Sequence, residues 1–219
     1  QTRHSMRPRQ PTLKPICDLS NNGEAGGLTL VTQASIDRLP ALAAQARCWQ
    51  GPLVAAIAAF DGTCGEPVGR QAARSMLRAF FHAEIIGREA QMRVVVYAVA
   101  GSHLYPINAL RNKAAALASS DLVLPLDVDL LPSASSRVLL ELEQLASLRR
   151  ACCEERRVIV IPAFEGRGDA EALAGKKETL CAALSAGDAS PFASGVWPAG
   201  HGATDSGRWA RSDMSYEVV

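Results

Sequence analysis

Short apolar runs alternate with helix-length segments along most of this chain, and the alternation restricts the possible folds more than any other feature. From Leu28 onwards each run is followed by a segment with helical periodicity; the runs are LTLVTQ, PLVAAIAAF, MRVVVYAV, LVLPL and RVIVIPAF. Strands that are apolar on both faces and separated by helices are typical of a mainly parallel sheet flanked by helices. The sequence therefore predicts an α/β fold.

Two parts of the chain differ in composition. Residues 1–27 are rich in basic residues, Pro, Asn and Gly and have almost no apolar periodicity, which predicts a linker or tail. Residues 28–219 are predicted to form a single domain. Its predicted helices cover residues 39–49, 68–86, 106–117, 135–149 and 170–184.

The overall charge excludes some classes of partner. The chain has 23 basic and 22 acidic residues and a formal charge of +1, so it has no bulk field to attract nucleic acid or an anionic membrane. Its apolar runs are shorter than the ~18 residues that a transmembrane helix needs. The six cysteines lack the C-x-x-C spacing of a zinc or redox motif. Small molecules or sugars are the expected partners, and nucleic acid is not.

The stretch LVLPLDVDLLPS places Asp127 and Asp129 at the end of a predicted apolar strand. Ligands of open α/β sheets bind outside the carboxyl ends of the strands. Strand alternation points residues i and i+2 to the same side, so both carboxylates can bind one cation, or one of them can bind a ligand hydroxyl. Such hard oxygen ligands suit Mn²⁺ or Mg²⁺ on a diphosphate. Two solvated acids at a strand end are the alternative interpretation.

Three further stretches contain candidate functional residues. In LYPINALRN, the side chains of Asn108, Arg111 and Asn112 share one helix face, although spacing alone favours a capped surface helix with a solvated arginine. In VIVIPAFEG, Glu165 closes a predicted strand parallel to the aspartate strand; an ordinary turn acid is the alternative. The Gly-rich stretch VWPAGHGATDSGRW contains Trp197, His201 and Trp209. Sugar rings pack on such aromatic faces, but a loop histidine can also be purely structural.

Six segments, in this order, resemble glycosyltransferase family 49, the family of LARGE-type and β-1,4-glucuronyltransferases. They are LTLVTQASIDRL, LYPINALRNKA, LVLPLDVDLLPS, VIVIPAFEG, KKETLCAAL and VWPAGHGATDSGRW. The resemblance covers residues 28–219. It implies a GT-A-like fold and a Mn²⁺-dependent, inverting transfer of glucuronate from UDP-glucuronate to a xylose-type hydroxyl on a glycan or glycoprotein acceptor.

The resemblance also implies roles for individual residues. Asp127 and Asp129 match the D-x-D motif that holds the metal, Mn²⁺ or Mg²⁺, on the diphosphate. The implied donor-binding residues are Thr32, Gln33, Asn108, Arg111 and Asn112. The expected acceptor side includes Trp197, His201 and Trp209. An inverting enzyme needs a base for the acceptor hydroxyl, and Glu165 is the motif acid to test.

The cellular setting implied by the resemblance is the Golgi lumen, in a type II membrane protein. The anchor helix of such a protein is absent from this chain, so a membrane is an expected partner only through that anchor. The family pattern continues beyond the position that matches Val219, with further strands and a histidine metal ligand. The chain is therefore expected to be incomplete at its C-terminal end.

Two other functions fit part of the pattern. A non-catalytic module or fragment would bind a nucleotide sugar or glycan without transferring it. A phosphohydrolase of the haloacid-dehalogenase type also has its nucleophile in an apolar strand that ends in D-x-D. That pattern requires Thr or Val two residues after the second aspartate, where this chain has Leu131.

Overall fold

The computed structural model describes residues 12–20, 27–60, 69–84, 91–100, 105–133, 139–198, 204–212 and 217–218. The strands are Thr12–Ser20 (β1), Leu28–Ser35 (β2), Leu53–Phe60 (β3), Met92–Ala100 (β4), Leu122–Pro125 (β5), Ile159–Val160 (β6), Phe164–Gly166 (β7), Ala189–Pro191 (β8) and Glu217–Val218 (β9). The α-helices are Leu39–Cys48 (α1), Arg70–Glu84 (α2), Ile107–Leu117 (α3), Leu142–Arg149 (α4), Ala170–Gly175 (α5), Lys177–Ala186 (α6) and Ser206–Arg211 (α7). A 3₁₀ turn at Ile36–Arg38 precedes α1, and a π-helical turn at Arg150–Glu154 follows α4.

The main sheet has five strands in the order β1-β4-β3-β2-β5. The pairs β4-β3, β3-β2 and β2-β5 are parallel, while β1 pairs antiparallel with β4 at one edge. The prediction of a mainly parallel α/β sheet flanked by helices is therefore confirmed. All carboxyl ends of the four parallel strands lie at the same edge of the sheet, where the candidate site is found.

Strand β1 corrects the prediction that residues 1–27 are a linker or tail, because residues 12–20 pair with β4 along most of its length. Among residues 12–19, whose burial is described, only Cys17 is buried, and the pairing shifts register between Pro15 and Cys17. Exposed Lys14 and Pro15 are typical of an edge strand, which needs neither a buried face nor a complete ladder. The low apolar periodicity thus reflected the edge position of a real strand.

Successive residues of the central strands pack into two separate cores. In β3, Leu53, Ala55 and Ile57 belong to the core that also contains residues of α1 and α2. Val54 and Ala56 belong to the second core, beneath α3. Because strand side chains alternate between the two sheet faces, helices on both faces require apolar residues at every position. This requirement explains the uninterrupted apolar run in the sequence.

Residues after α4 form a smaller region with two short antiparallel sheets, β6-β9 and β7-β8. The predicted strand at residues 157–164 is therefore wrong as a single parallel strand, and Glu165 lies in β7, antiparallel to β8. Pro162 separates β6 from β7, since a proline has no N–H for a strand ladder. The predicted helix at residues 135–149 is described from Leu142 onwards as α4. Among the helices that the structure describes, none has the length and apolarity to cross a membrane.

Candidate functional site

The two aspartates of the D-x-D motif lie in a turn just beyond β5. Strand β5 ends at Pro125, and Leu130 N donates to Asp127 O at 2.9 Å to close the turn. The predicted location at the carboxyl end of a strand is confirmed. Strand alternation does not orient their side chains, however, because both aspartates lie outside the strand. Strand β5 is also less buried than predicted, since it is an edge strand with Val123 42% exposed.

A buried amide anchors this turn. Gln45 of α1 has no exposed surface, and its Nε2 donates to Asp127 O at 3.0 Å and to Leu130 O at 2.9 Å. The two N–H groups of one side chain therefore hold both ends of the turn. Its Oε1 is buried without a hydrogen-bond partner among the described residues. Gln45 was not among the predicted site residues, although a lone amide on the apolar face of LPALAAQARC was the available signal.

The carboxylate of Asp127 accepts hydrogen bonds from two side chains. Arg111 of α3 donates from Nη2 to both oxygens, at 2.7 Å to Oδ1 and 2.6 Å to Oδ2, and from Nε to Oδ1 at 3.1 Å. Gln33 of β2 donates from Nε2 to Oδ1 at 3.2 Å. Of the predicted donor-binding residues, Gln33 and Arg111 are thus brought directly to the D-x-D turn.

Tyr105 fixes the orientation of Gln33, because its hydroxyl donates to Gln33 Oε1 and leaves Nε2 to face Asp127. Burial raises the pKa of Tyr105 to about 12, and the negative charges of Asp127 and Asp37 act in the same direction. The phenol therefore remains a protonated donor at physiological pH. Tyr105 had not been predicted as a site residue.

Asp129 forms an ion pair with Arg38, the last residue of the 3₁₀ turn that follows β2. The side chains are 48% exposed for Arg38 and 63% exposed for Asp129. Arg38 was also missed by the sequence analysis. Each aspartate of the motif is therefore matched by one arginine, and each arginine belongs to a different element.

The other predicted donor-binding residues are placed less directly. Thr32 is 2% exposed and precedes Gln33 in β2, so its side chain points to the opposite sheet face. Its Oγ1 has no hydrogen-bond partner in the part of the chain that the structure describes. Asn108 Oδ1 accepts from Arg111 Nη1 at 3.5 Å. Asn112 lies exposed on the same helix, and its predicted role stays a prediction.

A cavity of about 370 Å³ lies beside the D-x-D turn, with Asp129, Leu124 and Pro132 on one side and Glu165, Lys177 and Trp209 among its other lining residues. Glu165 is exposed, and its Oε1 accepts from Ser190 Oγ at 3.5 Å. The structure thus brings the candidate base to the same cavity as one aspartate, although the predicted strand pairing of Glu165 was wrong.

The residues predicted for the acceptor side have different environments. Trp209 is 8% exposed, its ring centroid lies 4.8 Å from that of Phe164, and Lys177 Nζ lies 4.3 Å from the centroid. Its ring therefore builds the cavity wall and offers little open surface. Trp197 is 63% exposed and does not line this cavity, while His201 lies outside the described residues.

The donor set at the turn fits a hard divalent cation. Within the described ranges, no group of three or more His, Cys, Asp or Glu residues is placed to hold a metal ion. Two carboxylates are nevertheless a common protein contribution to Mg²⁺ or Mn²⁺ sites in which phosphate and water oxygens complete the coordination. Asp127 and Asp129 are thus the residues that could hold such a cation.

A mainly parallel sheet with an aspartate pair beyond the carboxyl end of a strand defines a GT-A-like α/β domain. Residues 89–219 match the family model described as "Glycosyl-transferase for dystroglycan", and the chain belongs to this family. The family resemblance that the motifs indicated is therefore confirmed, which favours the glycosyltransferase interpretation over the phosphohydrolase.

Curated relatives support the same family. The chain is 34% identical to "Xylosyl- and glucuronyltransferase LARGE2" of Rattus norvegicus over 194 residues, which is 87% of this chain and 26% of the relative. It is 34% identical to the Homo sapiens protein of that name over 195 residues, 87% of this chain and 25% of the relative. Identity to "Xylosyl- and glucuronyltransferase LARGE1" of Homo sapiens is 27% over 195 residues, with shares of 87% and 24%. The chain spans about a quarter of the length of these relatives.

Proposed function

We propose that this chain is the donor- and metal-binding part of a glycosyltransferase that transfers glucuronate from UDP-glucuronate to a glycan hydroxyl with inversion. The observation that carries the proposal is the D-x-D turn at the carboxyl edge of the sheet, with arginine and amide side chains gathered around it. The names of the relatives, xylosyl- and glucuronyltransferases, support both the reaction class and the donor.

Asp127 and Asp129 would hold Mn²⁺ or Mg²⁺ in this function. The bound cation supplies Lewis-acid stabilisation of the negative charge that develops on the leaving diphosphate. Gln45 keeps the turn at a fixed distance from α1, and Gln33 with Tyr105 fixes the orientation of the Asp127 carboxylate. These contacts fix the turn and the Asp127 carboxylate, which lowers the cost of ordering them on binding.

The cavity beside Asp129 is the proposed acceptor region. An inverting transfer needs the acceptor hydroxyl on the side of the sugar opposite the diphosphate, with a base to take its proton. Glu165 lines this cavity together with Asp129, and we propose it as that base. Trp209 and Phe164 stabilise the wall on which the acceptor would rest.

A donor screen tests the proposal. Purified protein is heated with UDP-glucuronate, other UDP-sugars, GDP-mannose or CMP-sialic acid, each with and without Mn²⁺. UDP-glucuronate with Mn²⁺ should raise the melting temperature most, because a ligand at ~100 times its Kd stabilises the folded state by ~2.7 kcal/mol. Stabilisation by the GDP- or CMP-sugar in the absence of any effect of UDP-sugars would contradict the assignment.

The proposed setting of the full-length enzyme is the Golgi lumen, with a membrane anchor outside the present chain. This proposal rests on family membership alone. Imaging of the tagged full-length product against Golgi markers tests it, and a cytosolic distribution would exclude the setting.

A further inference from the structure

Both aspartates of the D-x-D turn form ion pairs with arginines. Arg111 reaches Asp127 from α3 and binds both of its carboxylate oxygens. Arg38 reaches Asp129 from the turn after β2. The carboxylates proposed to hold the cation are therefore the ones already occupied by guanidinium groups.

We propose that Arg38 and Arg111 are exchange residues, which bind the D-x-D carboxylates in the free protein and transfer to the phosphate oxygens of the donor when cation and nucleoside diphosphate bind together. The inference rests on the proposed function, since it takes the turn as the site of the cation and the diphosphate.

Crowding at Asp127 is the first reason for an exchange. Oδ1 accepts from Gln33 Nε2 at 3.2 Å and from Arg111 Nε and Nη2 at 3.1 and 2.7 Å, while Oδ2 accepts from Nη2 at 2.6 Å. A cation bound to these oxygens would lie within a few ångströms of the guanidinium, where like charges repel. The arginine therefore weakens cation binding for as long as it stays on this carboxylate, and its departure favours coordination.

The second reason is that the arginines are able to move and have a better partner when the donor is present. The Arg111 and Arg38 side chains are 43% and 48% exposed, and solvent-exposed ion pairs contribute little stability. A guanidinium displaced from a carboxylate can form the same two-pronged hydrogen bonds with phosphate oxygens. The exchange thus replaces an anionic carboxylate partner with an anionic phosphate partner.

The charges make the two ligands depend on each other. Two arginines and two aspartates sum to zero and Asp37 adds one negative charge near them, so a divalent cation alone leaves a local excess of one positive charge. A diphosphate removes that excess and also binds both guanidinium groups. The free cation is therefore bound weakly, and the cation with its diphosphate is bound well.

The experiment measures Mn²⁺ binding from the electron paramagnetic resonance signal of free Mn²⁺, and UDP binding by calorimetry in saturating Mn²⁺. The variants are Arg111→Gln and Arg38→Gln. The matched control is Arg47→Gln, since Arg47 is a 45% exposed arginine that is paired with Glu171 at 2.6 Å, which is not a D-x-D aspartate. Circular dichroism verifies the fold of each protein.

Each test variant should bind Mn²⁺ alone about fivefold more tightly, because it removes a competing exposed ion pair. Each should bind UDP in the presence of Mn²⁺ about tenfold or more weakly, because it loses a charge-assisted hydrogen bond to phosphate. Arg47→Gln should change neither affinity. These opposite shifts distinguish an exchange from a purely structural ion pair, which would weaken both.

The exchange would be overturned if the variants bind Mn²⁺ alone more weakly than the parent, or if their affinities for both ligands are unchanged. The proposed function would remain intact in either case, provided that the parent protein binds UDP with Mn²⁺. Failure of the parent to bind UDP with Mn²⁺ would overturn both. If Arg111→Gln does not fold, Arg38→Gln decides the question alone, since it lies on a separate element.

Discussion

Replacement of Gln45 by Glu tests whether this amide holds the D-x-D turn. Gln45→Glu keeps the size of the side chain but replaces the donor Nε2 by an oxygen, which faces Asp127 O and Leu130 O at 3.0 and 2.9 Å in the parent protein. Because Gln45 has no exposed surface, the new carboxylate would have to be neutral to remain in place. The variant therefore changes hydrogen-bond donation with little change in packing.

The expected loss of stability follows from two contributions. A glutamic acid kept protonated at pH 7, against an ordinary pKa of about 4.3, costs about 3.7 kcal/mol at 1.36 kcal/mol per pKa unit. A protonated acid can replace only one of the two hydrogen bonds, and the other is worth about 1 kcal/mol. The free energy of unfolding should thus fall by about 4–5 kcal/mol at pH 7, and the melting temperature by roughly 10–20 °C.

The pH dependence gives a second readout. The folded state raises the pKa of the introduced Glu, so its protonated form is favoured and the destabilisation is smallest below the unfolded pKa of about 4.3. Relative to the parent, the loss should shrink to about 2 kcal/mol at pH 5. Urea unfolding at both pH values measures these differences.

The matched control is Gln50→Glu, since Gln50 is exposed and makes one hydrogen bond of 3.3 Å to Arg47 O. It should change the free energy of unfolding by less than about 0.5 kcal/mol at either pH. If Gln45→Glu is as stable as this control, or if its loss of stability does not depend on pH, the amide does not anchor the turn.

Two further predictions concern the surrounding side chains. Because the pKa of Tyr105 is raised to about 12, a titration of phenolate absorbance should show one fewer tyrosine ionising near that pH in Tyr105→Phe than in the parent; its hydrogen bond to Gln33 stabilises the fold below about pH 10 and is lost as the pH rises through 12. A tyrosine that ionises near pH 10 at this position would contradict the buried network. Trp209→Ala should lower the free energy of unfolding by about 3–5 kcal/mol, against less than about 0.5 kcal/mol for exposed Trp197→Ala. Urea unfolding measures both changes in the free energy of unfolding, and UDP affinity should be unchanged in the folded variants. Equal stabilities of the two variants, or a loss of UDP binding, would refute the assignment of Trp209 to the wall of the acceptor cavity.

The central elements of the fold could be predicted because their residues are constrained locally. Strands β2 and β3 are buried along nearly their whole length, so each appears in the sequence as an unbroken apolar run. Edge elements lack that constraint. Strand β1 tolerates Lys14 and Pro15, and the run at residues 157–164 is divided by Pro162, so apolar content alone predicted neither correctly.

The site was predictable only where a motif marked it. Asp127, Asp129 and Arg111 belong to short motifs, and the structure brings them together. Gln45 lies outside the quoted motifs and Tyr105 lies inside LYPINALRN, but both act across long stretches of sequence, 82 and 72 residues, through contacts that exist only once the sheet and its helices are in place. Side chains whose roles depend on such long-range contacts carry almost no local signal, which is why the residues that hold the aspartates were missed.

The most direct test of the central claim is a calorimetric titration of UDP into the parent and Asp129→Asn, each with and without Mn²⁺. The substitution keeps the side-chain volume and removes one carboxylate charge, while Asp121→Asn provides a control because Asp121 is a 62% exposed aspartate that is also paired with an arginine. If the D-x-D turn holds the cation on the diphosphate, Mn²⁺ should increase UDP affinity in the parent and in Asp121→Asn, and should have no effect in Asp129→Asn. If Asp129→Asn binds UDP with the same dependence on Mn²⁺ as the parent, Asp129 does not hold the cation and the proposed metal site is wrong.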